Sequence, residues 1–279
     1  MPSYLLVDSD MLLMRCVMAN QQDIELDDEQ VFRVTDKKAA RTDYWYYINM
    51  WRDEAAVAQE NVYHCFTESS GFRRRIWPKY KAQRKLILKP VGYKQMKAEI
   101  LNEDNAYCYS EIEADDMISI FAGVIDKAGN NESTLIASQD KDLWQIPGVH
   151  VWVDDTPPKD TRFEWGKYNT PELAERFTWE QYLSGDPGTD NIPGCPGIGS
   201  KTAEKIVGGF DLSKPVDCWT AVVEAYKKAL AKESTKNGTP EVQDVHQHAL
   251  LQARLTRLLR RDEYNFSKSK VTLWNPLTN

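Results

Sequence analysis

Short unbroken apolar runs alternate along this chain with segments in which apolar residues recur every three or four positions. The runs lie at residues 3–7, 61–67, 106–110 and 133–138, with a further run at 149–153. Unbroken runs of this length are typical of parallel strands buried on both faces, and the three-to-four spacing is typical of amphipathic helices. The alternation predicts an α/β fold, in which helices flank a twisted and mostly parallel sheet.

The predicted helices and loops divide the chain into three parts. Helices are expected at residues 11–19, at 42–60 with Thr42 or Asp43 as the cap, in the stretch that begins EIEADD, and at 216–233 and 245–261. Residues 23–29, 154–169 and 234–244 are predicted loops, and residues 271–273 alternate like an edge strand or extended tail. We predict a core at residues 1–177, a helix-hairpin-helix region at 178–240, and a C-terminal helix and tail at 241–279 that pack on the core.

Acidic residues follow the predicted strands, at the point where each strand ends. Carboxyl ends of parallel strands share one edge of a sheet, so these side chains are expected to converge there. The candidates that follow strands are Asp8, Glu68, Glu113, Asp115, Asp116, Asp140 and Asp142. Two more, Asp186 and Asp190, come from a Gly-rich loop. Converging carboxylates repel one another unless cations neutralise them. A set with oxygen donors only, and without His or Cys, favours Mg²⁺ or Mn²⁺ over Zn²⁺, and two such ions about 4 Å apart catalyse in-line phosphate hydrolysis.

The acids of the EADD stretch have a competing interpretation. Acidic residues at a helix N-terminus cap the helix and complement its dipole without any metal. A single cap does not need Glu113, Asp115 and Asp116 together. The metal interpretation therefore remains the stronger of the two.

Composition and cysteine usage indicate a soluble protein of the cytoplasm. The 279 residues are 42% apolar, with no apolar run near 18 residues, and no basic leader precedes the first apolar run. The five cysteines are widely spaced and form no CxxC pair, which is typical of reduced thiols.

The net charge of −7 hides a basic segment within an acidic chain. Residues 69–98 hold ten Lys and Arg and no acid. Lys81, Arg84 and Lys85 are expected on one face of a helix between Pro78 and Pro90, with aromatic residues interleaved. This pattern favours binding of a phosphate backbone by charge and stacking, although a solvated face is the commoner meaning of a basic run. Arg15, one turn along the first helix, is a weaker candidate for the same crevice.

The stretch SGDPGTDNIPGCPGIGSKTAEKIV predicts a second phosphate-binding element. Gly194, Gly197 and Gly199 prevent regular structure, and a short helix capped by Ser200 follows and carries Lys201. Free N–H groups at such a helix start bind phosphate. A P-loop is excluded because Ser200 stands where that loop needs Lys. An ordinary Gly/Pro turn is the remaining alternative, but the adjacent Asp186 and Asp190 favour a site for nucleic acid and a divalent cation.

Several motifs in order resemble those of one family. They are Asp8 with Arg15, the FR…YKxxR run, EADD at Glu113 to Asp116, DKD at Asp140 to Asp142, and GD…DNIPGCPGIGSKTA. Together they resemble the flap-endonuclease superfamily of 5′-nucleases, especially the 5′-to-3′ exonucleases of podophages, over nearly the whole chain. The resemblance implies a PIN-like or Rossmann-like core, a helical arch at about residues 69–98, and Mg²⁺-dependent cleavage at 5′ ends or flaps of duplex DNA during phage replication, with removal of RNA primers from RNA–DNA hybrids.

The resemblance also implies roles for individual residues. Two Mg²⁺ ions, for which Mn²⁺ can substitute, would be held by the nine acids, and K⁺ by carbonyls of the hairpin. Lys81, Arg84 and Arg15 would contact the phosphate. The implied DNA-binding residues are Arg73, Arg74, Tyr80, Lys85, Gly194, Gly197, Ile198, Gly199, Ser200, Lys201 and Thr202. The protein is expected to act as a monomer in the host cytoplasm, away from membranes.

Two positions depart from the family pattern, and two other functions remain open. Glu68 stands where the family usually has Asp, and GDPGTDN is one residue longer than the common GDxxDN, which puts Asp190 in question. A PIN-like ribonuclease would share the acidic sheet edge but lack the arch and the hairpin. A non-catalytic DNA-binding scaffold would be expected to have lost several of the acids.

Overall fold

The computed structural model describes residues 2–27, 30–68, 71–86, 88–127 and 134–153, and then 157–237 and 242–277. Side chains are described at all of these positions except 26, 27, 85, 86, 127 and 237.

The described residues form ten strands and nine α-helices. The strands are β1 Tyr4–Asp8, β2 Gln21–Asp27, β3 Gln30–Thr35, β4 Val62–Cys65, β5 Ala106–Tyr107, β6 Thr134–Ala137, β7 Gly148–Val151, β8 Tyr168–Asn169, β9 Tyr264–Asn265 and β10 Lys270–Val271. The helices are α1 Ser9–Ala19, α2 Lys37–Glu54, α3 Phe72–Ile76, α4 Tyr93–Ile100, α5 Ala114–Lys127, α6 Pro171–Ser184, α7 Ser200–Val207, α8 Pro215–Asn237 and α9 Val245–Thr256.

The main sheet confirms the predicted fold class. Its strand order is β5-β4-β1-β6-β7-β8, and every neighbouring pair is parallel except β7 and β8. Leu5 and Val7 of β1 pack into one core with residues of α1 and α2, while Leu6 packs into a second core with residues of α5. The first strand is thus buried on both faces, which is why its apolar run is unbroken.

A β-hairpin and an earlier helix replace two predicted features. Strands β2 and β3 pair antiparallel across the segment predicted as an acidic loop, because apolar residues alternate there and Arg33 forms an ion pair with Asp23. Helix α2 begins at Lys37 rather than near residue 42, because Asp36 accepts the hydrogen bond from the Ala39 N–H. The side chain of Asp43 instead accepts a hydrogen bond from Asn20.

The C-terminal helices form a layer of their own, which corrects the predicted boundaries. The predicted division at residue 177 falls inside α6, since that helix starts at Pro171 with Thr170 as its cap. Helix α9 packs with α6, α7 and α8 around the buried Trp219 rather than on the sheet core. The end of α9 bonds to Arg73 and Gln145 through the carbonyls of Leu255 and Thr256. The segment after it packs on the sheet core, where Leu258, Leu259 and Tyr264 meet residues of α5.

No helix in the described ranges is long and apolar enough to cross a membrane.

The buried His150 of β7 makes stability depend on pH. Its ring stacks on Trp144 at a centroid distance of 4.1 Å, and its Nε2 lies 3.0 Å from the Ile146 carbonyl oxygen. Burial lowers the pKa of His150 to about 4, whereas an unfolded histidine has a pKa near 6.5. The unfolded chain therefore takes up a proton that the folded chain does not, and stability is lost as the pH falls from 6.5 towards 4.

The His150→Gln variant is expected to lack this loss. Between pH 7 and 4.5, wild-type protein should lose about 2–3 kcal/mol more of unfolding free energy than the variant. Denaturant unfolding of both proteins at the two pH values, in EDTA, measures this difference. Equal losses in the two proteins would contradict the assignment of the proton to His150.

Candidate functional site

Asp8 and Asp140 lie at the carboxyl ends of the neighbouring strands β1 and β6. Asp8 caps α1 by accepting the Met11 N–H at 3.1 Å and also accepts the Ser138 hydroxyl at 3.0 Å. Burial first, and then repulsion from Asp10 and Asp140, raise the pKa of Asp8 to about 7. Carboxylates thus lie close together at this edge of the sheet, and the protein compensates their negative charges poorly.

A second acidic group lies at the start of α5. Carboxylate oxygens of Glu113, Asp115 and Asp116 all lie within 4.8 Å of one another, a geometry that suits a metal ion. Burial, followed by repulsion from Asp116 and Glu113, raises the pKa of Asp115 well above its usual range. Burial also opposes the charge of Glu113, but Lys81 and Arg73 outweigh it and lower the pKa.

Asp116 is engaged by the protein itself rather than open to a ligand. Both of its oxygens accept from Arg73, at 2.6 and 2.8 Å, and they also accept the N–H groups of Glu113 and Leu259. A metal at Asp116 would have to displace these hydrogen bonds. The structure therefore favours Glu113 and Asp115 as the metal-binding members of this group, with Asp116 anchoring Arg73.

Two residues predicted to contact DNA are instead buried parts of the site. Arg73 is 2% exposed and bonds Asp116 and the carbonyls of Leu255 and Arg257, so it has no free donor surface. Tyr80 is 3% exposed, and its hydroxyl donates to Glu113 at 2.6 Å and also lies 3.1 Å from an Asp190 oxygen. Both residues hold the acids in place through hydrogen bonds. Each side chain is buried against a carboxylate that lies far away in the sequence.

Lys81 and Arg84 form ion pairs with two of the acids, and the segment that carries them is not the predicted α-helix. Lys81 Nζ lies 3.0 Å from Glu113 and 3.5 Å from Asp190, and Arg84 donates to Asp190 at 2.8 Å. Between Pro78 and Pro90 the described residues form a 3₁₀ turn, not the predicted α-helix, and Lys81 has a left-handed φ of 49°. Pairing of the Lys81 N–H with the Asp190 carbonyl fixes this bend. The side chain of Lys85 lies outside the described part of the chain.

The loop that carries Asp186 and Asp190 accommodates its extra residue. The Asp186 N–H and the Ile192 N–H close the loop with hydrogen bonds at 2.9 and 3.0 Å. Asp186 faces Asp142 across Lys141, while Asp190 turns towards Glu113 through Lys81 and Tyr80. Asp190 thus lies beside the acidic group at the start of α5.

One cleft joins the sheet-edge acids to the basic segment. Its volume is about 1860 Å³, well above the 300–1,000 Å³ typical of small-molecule pockets. Predicted site residues that line it are Asp8, Arg15, Glu68, Arg74, Tyr80, Lys81, Arg84, Glu113, Asp115 and Asp140. Its size and its mixed charge suit a polymer with a phosphate backbone.

The hairpin glycines differ in what they contact. Gly194 is enclosed, since a Cβ there would lie 2.5 Å from the Ser184 backbone, and its N–H donates to Gln252. A Cβ atom added at Gly197 or Gly199 would have no neighbouring atom within 4 Å. The prediction of a phosphate contact is therefore wrong for Gly194 and stays open for the other two.

The start of α7 presents an exposed surface. Gly199, rather than Ser200, is the cap, and Ser200 is the first helical residue. Ser200, Lys201 and Thr202 are all exposed, and Ile198 is half-buried. The first turn of α7 is thus available to an anion, with Lys201 beside it.

Sequence reasoning missed several residues that organise the cleft. Asp10 accepts the Thr67 N–H and the hydroxyl of Tyr93, and Lys97 Nζ lies 3.0 Å from it. These contacts tie α4 to the ends of β1 and β4. Asp10 could have been recognised by its place after β1, but Tyr93 and Lys97 carry no local signal of this role.

The pattern of internal ion pairs shows where a cation is lacking. Glu113, Asp116, Asp142, Asp186 and Asp190 each pair with Lys or Arg. Within the described residues, Asp8, Asp115 and Asp140 form no such pair. These carboxylates, of which Asp8 is buried and the other two are half-buried, have no counter-ion and offer only oxygen donors, which fits a divalent cation.

Comparison with known proteins gives the family. Residues 3–178 match the family model described as 5′-3′ exonuclease, N-terminal resolvase-like domain. The chain is 28% identical to the exodeoxyribonuclease of Enterobacteria phage T3, over 98% of this chain and 92% of that protein. It is 27% identical to the exonuclease of Escherichia phage T7, over 98% and 93% of the two chains. Flap endonuclease Xni of Shewanella oneidensis is 29% identical over 50% of this chain and 53% of its own length. The resemblance of the motifs is confirmed, and the chain belongs to the 5′-3′ exonuclease family.

Proposed function

We propose that this exonuclease hydrolyses phosphodiester bonds at 5′ ends or flaps of duplex DNA with two Mg²⁺ ions, for which Mn²⁺ can substitute. The observation that carries the proposal is the set of unpaired carboxylates Asp8, Asp115 and Asp140, which lines one cleft with Lys81 and Arg84. Glu113 completes the first site, and Asp140 with Asp142 and Asp186 supplies the second. Bound divalent ions would polarise the scissile phosphate and supply a nucleophile from water.

The chain's own residues hold the phosphate and its charge. Burial opposes the charge of Lys81, but Glu113 and Asp190 outweigh it and raise its pKa, so the side chain stays an ammonium group. Lys81 and Arg84 reach into the cleft from the basic segment, where they can neutralise negative charge that develops on the phosphate. Arg15 lines the same cleft from α1.

Duplex binding is assigned to the exposed start of α7. The N–H groups of its first turn and Lys201 suit a backbone phosphate, and carbonyls of the hairpin at Gly197 and Gly199 would hold K⁺. In this proposal the duplex lies on the helical layer and its 5′ end enters the cleft. We assign the protein to primer removal during phage DNA replication, with RNA–DNA hybrids among its substrates, as a monomer in the host cytoplasm.

A time course with one duplex, labelled in parallel at its 5′ or 3′ end, tests the function. With Mg²⁺, early release of mono- or short oligonucleotides from the 5′ label and laddering from the 3′ label are expected, and EDTA should abolish both. A matched RNA–DNA hybrid tests the primer substrate. Binding of the duplex without any cleavage would favour a non-catalytic scaffold instead.

Lys81→Ala is expected to slow turnover far more than it weakens binding. The ammonium lies against the acids, so its loss removes charge where the reaction occurs, and we expect kcat to fall about 10²-fold while the Kd for DNA changes by about threefold or less. Single-turnover cleavage and equilibrium binding in Ca²⁺ measure the two effects.

Lys79→Ala is the matched control, because Lys79 is exposed and contacts the Trp77 ring rather than an acid. Equal loss of kcat in both variants would contradict a specific role for Lys81.

A further inference from the structure

Lys141 joins two carboxylates from separate parts of the chain. Its Nζ lies 2.8 Å from Asp142 Oδ1 and 2.8 Å from Asp186 Oδ2. Asp142 follows β6, and Asp186 comes from the loop after α6. A single ammonium group therefore compensates part of the negative charge of the pair assigned above to the second cation.

Hydrogen bonds from other residues also hold the two carboxylates. The Asp142 N–H is held by Asp140 at 2.9 Å, and Asp142 Oδ1 also accepts from Gln181 at 3.2 Å. Asp186 Oδ1 accepts the Thr189 N–H at 2.9 Å. Without Lys141, the two oxygens would still face each other but lack a counter-charge.

An ammonium group and a divalent ion cannot both bind these oxygens closely, because the two cations repel each other. An ion bound to either oxygen at about 2.1 Å would lie within about 5 Å of Lys141 Nζ, close enough for strong repulsion. Binding of the ion therefore requires Lys141 to move away or weakens the affinity for the ion.

Exposure distinguishes Lys141 from two other cations of the site, Lys81 and Arg73. The Lys141 side chain is 50% exposed, whereas Lys81 is 13% exposed and Arg73 is 2% exposed. The side chain of Lys141 can rotate into solvent, whereas the side chains of the other two are enclosed by protein. Among these three, only Lys141 can exchange with a solvent cation without disturbing the core.

We infer that Lys141 is a placeholder cation, which holds the Asp142–Asp186 pair in the metal-free protein and is displaced when a divalent ion binds there. Lys141 is thus a positioning residue that lowers the affinity of the second ion. The inference rests on the proposed two-cation function and adds to it a residue that sets when the second site fills.

Titration with Mn²⁺ in the absence of DNA tests this role. Calorimetry of the full-length protein, with free Mn²⁺ followed by its EPR signal, gives the number of bound ions and their Kd values. In Lys141→Met, which keeps the length of the side chain but not its charge, we expect the weaker ion to bind about tenfold more tightly. Lys141→Arg should resemble wild type because it retains the charge.

A thermal measurement supplies a second readout. In EDTA, Lys141→Met should have a lower Tm than wild type, because the Asp142–Asp186 pair is uncompensated, and Mn²⁺ should raise its Tm by more than it raises that of wild type. Lys167→Met is the matched control, since Lys167 pairs with Glu164 on the surface, with both side chains more than half exposed. Lys141→Gln replaces the Met variant should that protein fail to fold.

The possible results separate this inference from the proposed function. An unchanged or weaker affinity for the second ion in both neutral variants overturns the placeholder role, and cleavage by wild type would leave the function intact. If wild type and the variants bind no divalent ion at all, the two-cation function is overturned as well.

Discussion

Asp115→Asn should abolish cleavage while the protein remains folded and still binds branched DNA. Asp115 is half-buried at the start of α5 with no ion pair of its own within the described residues, and its pKa is raised by desolvation and by Asp116 and Glu113. The amide retains an oxygen that can accept the Asp116 N–H, now bonded at 2.8 Å, but it cannot neutralise a metal ion. Loss of metal stabilisation worth several kcal/mol predicts a fall in kcat of at least about 10³-fold.

Stability and binding distinguish this effect from a loss of structure. Replacing an unpaired, half-buried carboxylate removes repulsion within the acidic group, so the Tm in EDTA should stay the same or rise. DNA binding should persist, because one fewer negative charge faces the phosphates. Multiple-turnover cleavage, a binding titration and a thermal scan measure the three quantities.

Glu111→Gln is the control for Asp115→Asn. Glu111 lies four residues earlier and pairs with Arg75, whose side chain is 55% exposed, outside the acidic group. Its replacement should leave kcat nearly unchanged. Unimpaired cleavage by Asp115→Asn would contradict the assignment of Asp115 to the metal.

The parts of the fold that could be predicted from sequence are those that local patterns determine. The run at residues 3–7 predicts a buried parallel strand because both faces of β1 meet apolar layers. The β2–β3 hairpin was missed because the acids of the segment masked its alternation, and the apolar side chains described there, including Phe32, are exposed. Strand burial leaves a clear pattern in the sequence, whereas an exposed hairpin does not.

The acids of the site were predictable for a similar reason. Asp8 and Asp140 follow strands, and parallel topology brings such positions to one edge whatever the intervening sequence. The partners of the acids follow no such rule. Arg73 and Asp116 are 43 positions apart, and Tyr80 and Asp190 are 110 apart. Which basic residues turn inward depends on packing that only the folded structure shows.

Arg73→Met should be among the most destabilising substitutions in the chain. The guanidinium is 2% exposed and links α3 to Asp116 of α5 and to the carbonyls of Leu255 and Arg257. Its removal leaves the fully buried Asp116 carboxylate without a counter-charge and two carbonyls without a donor. Breaking such a pair costs about 3–5 kcal/mol, which lowers the Tm by about 10 °C in a chain of this size.

A second substitution at the partner position shows whether the unpaired charge causes the loss. Arg73→Met combined with Asp116→Leu should recover about 2 kcal/mol relative to the single variant, because an apolar pair no longer buries a charge. Arg75→Met, on the same short helix, breaks only the partly exposed pair with Glu111 and should cost about 1 kcal/mol or less. Denaturant unfolding of the four proteins gives these values. If Arg73→Met were no more destabilising than Arg75→Met, the Arg73–Asp116 pair would not be the link between α3 and α5. If the double variant recovered nothing, the lost carbonyl hydrogen bonds of Arg73, rather than the buried charge of Asp116, would account for the destabilisation.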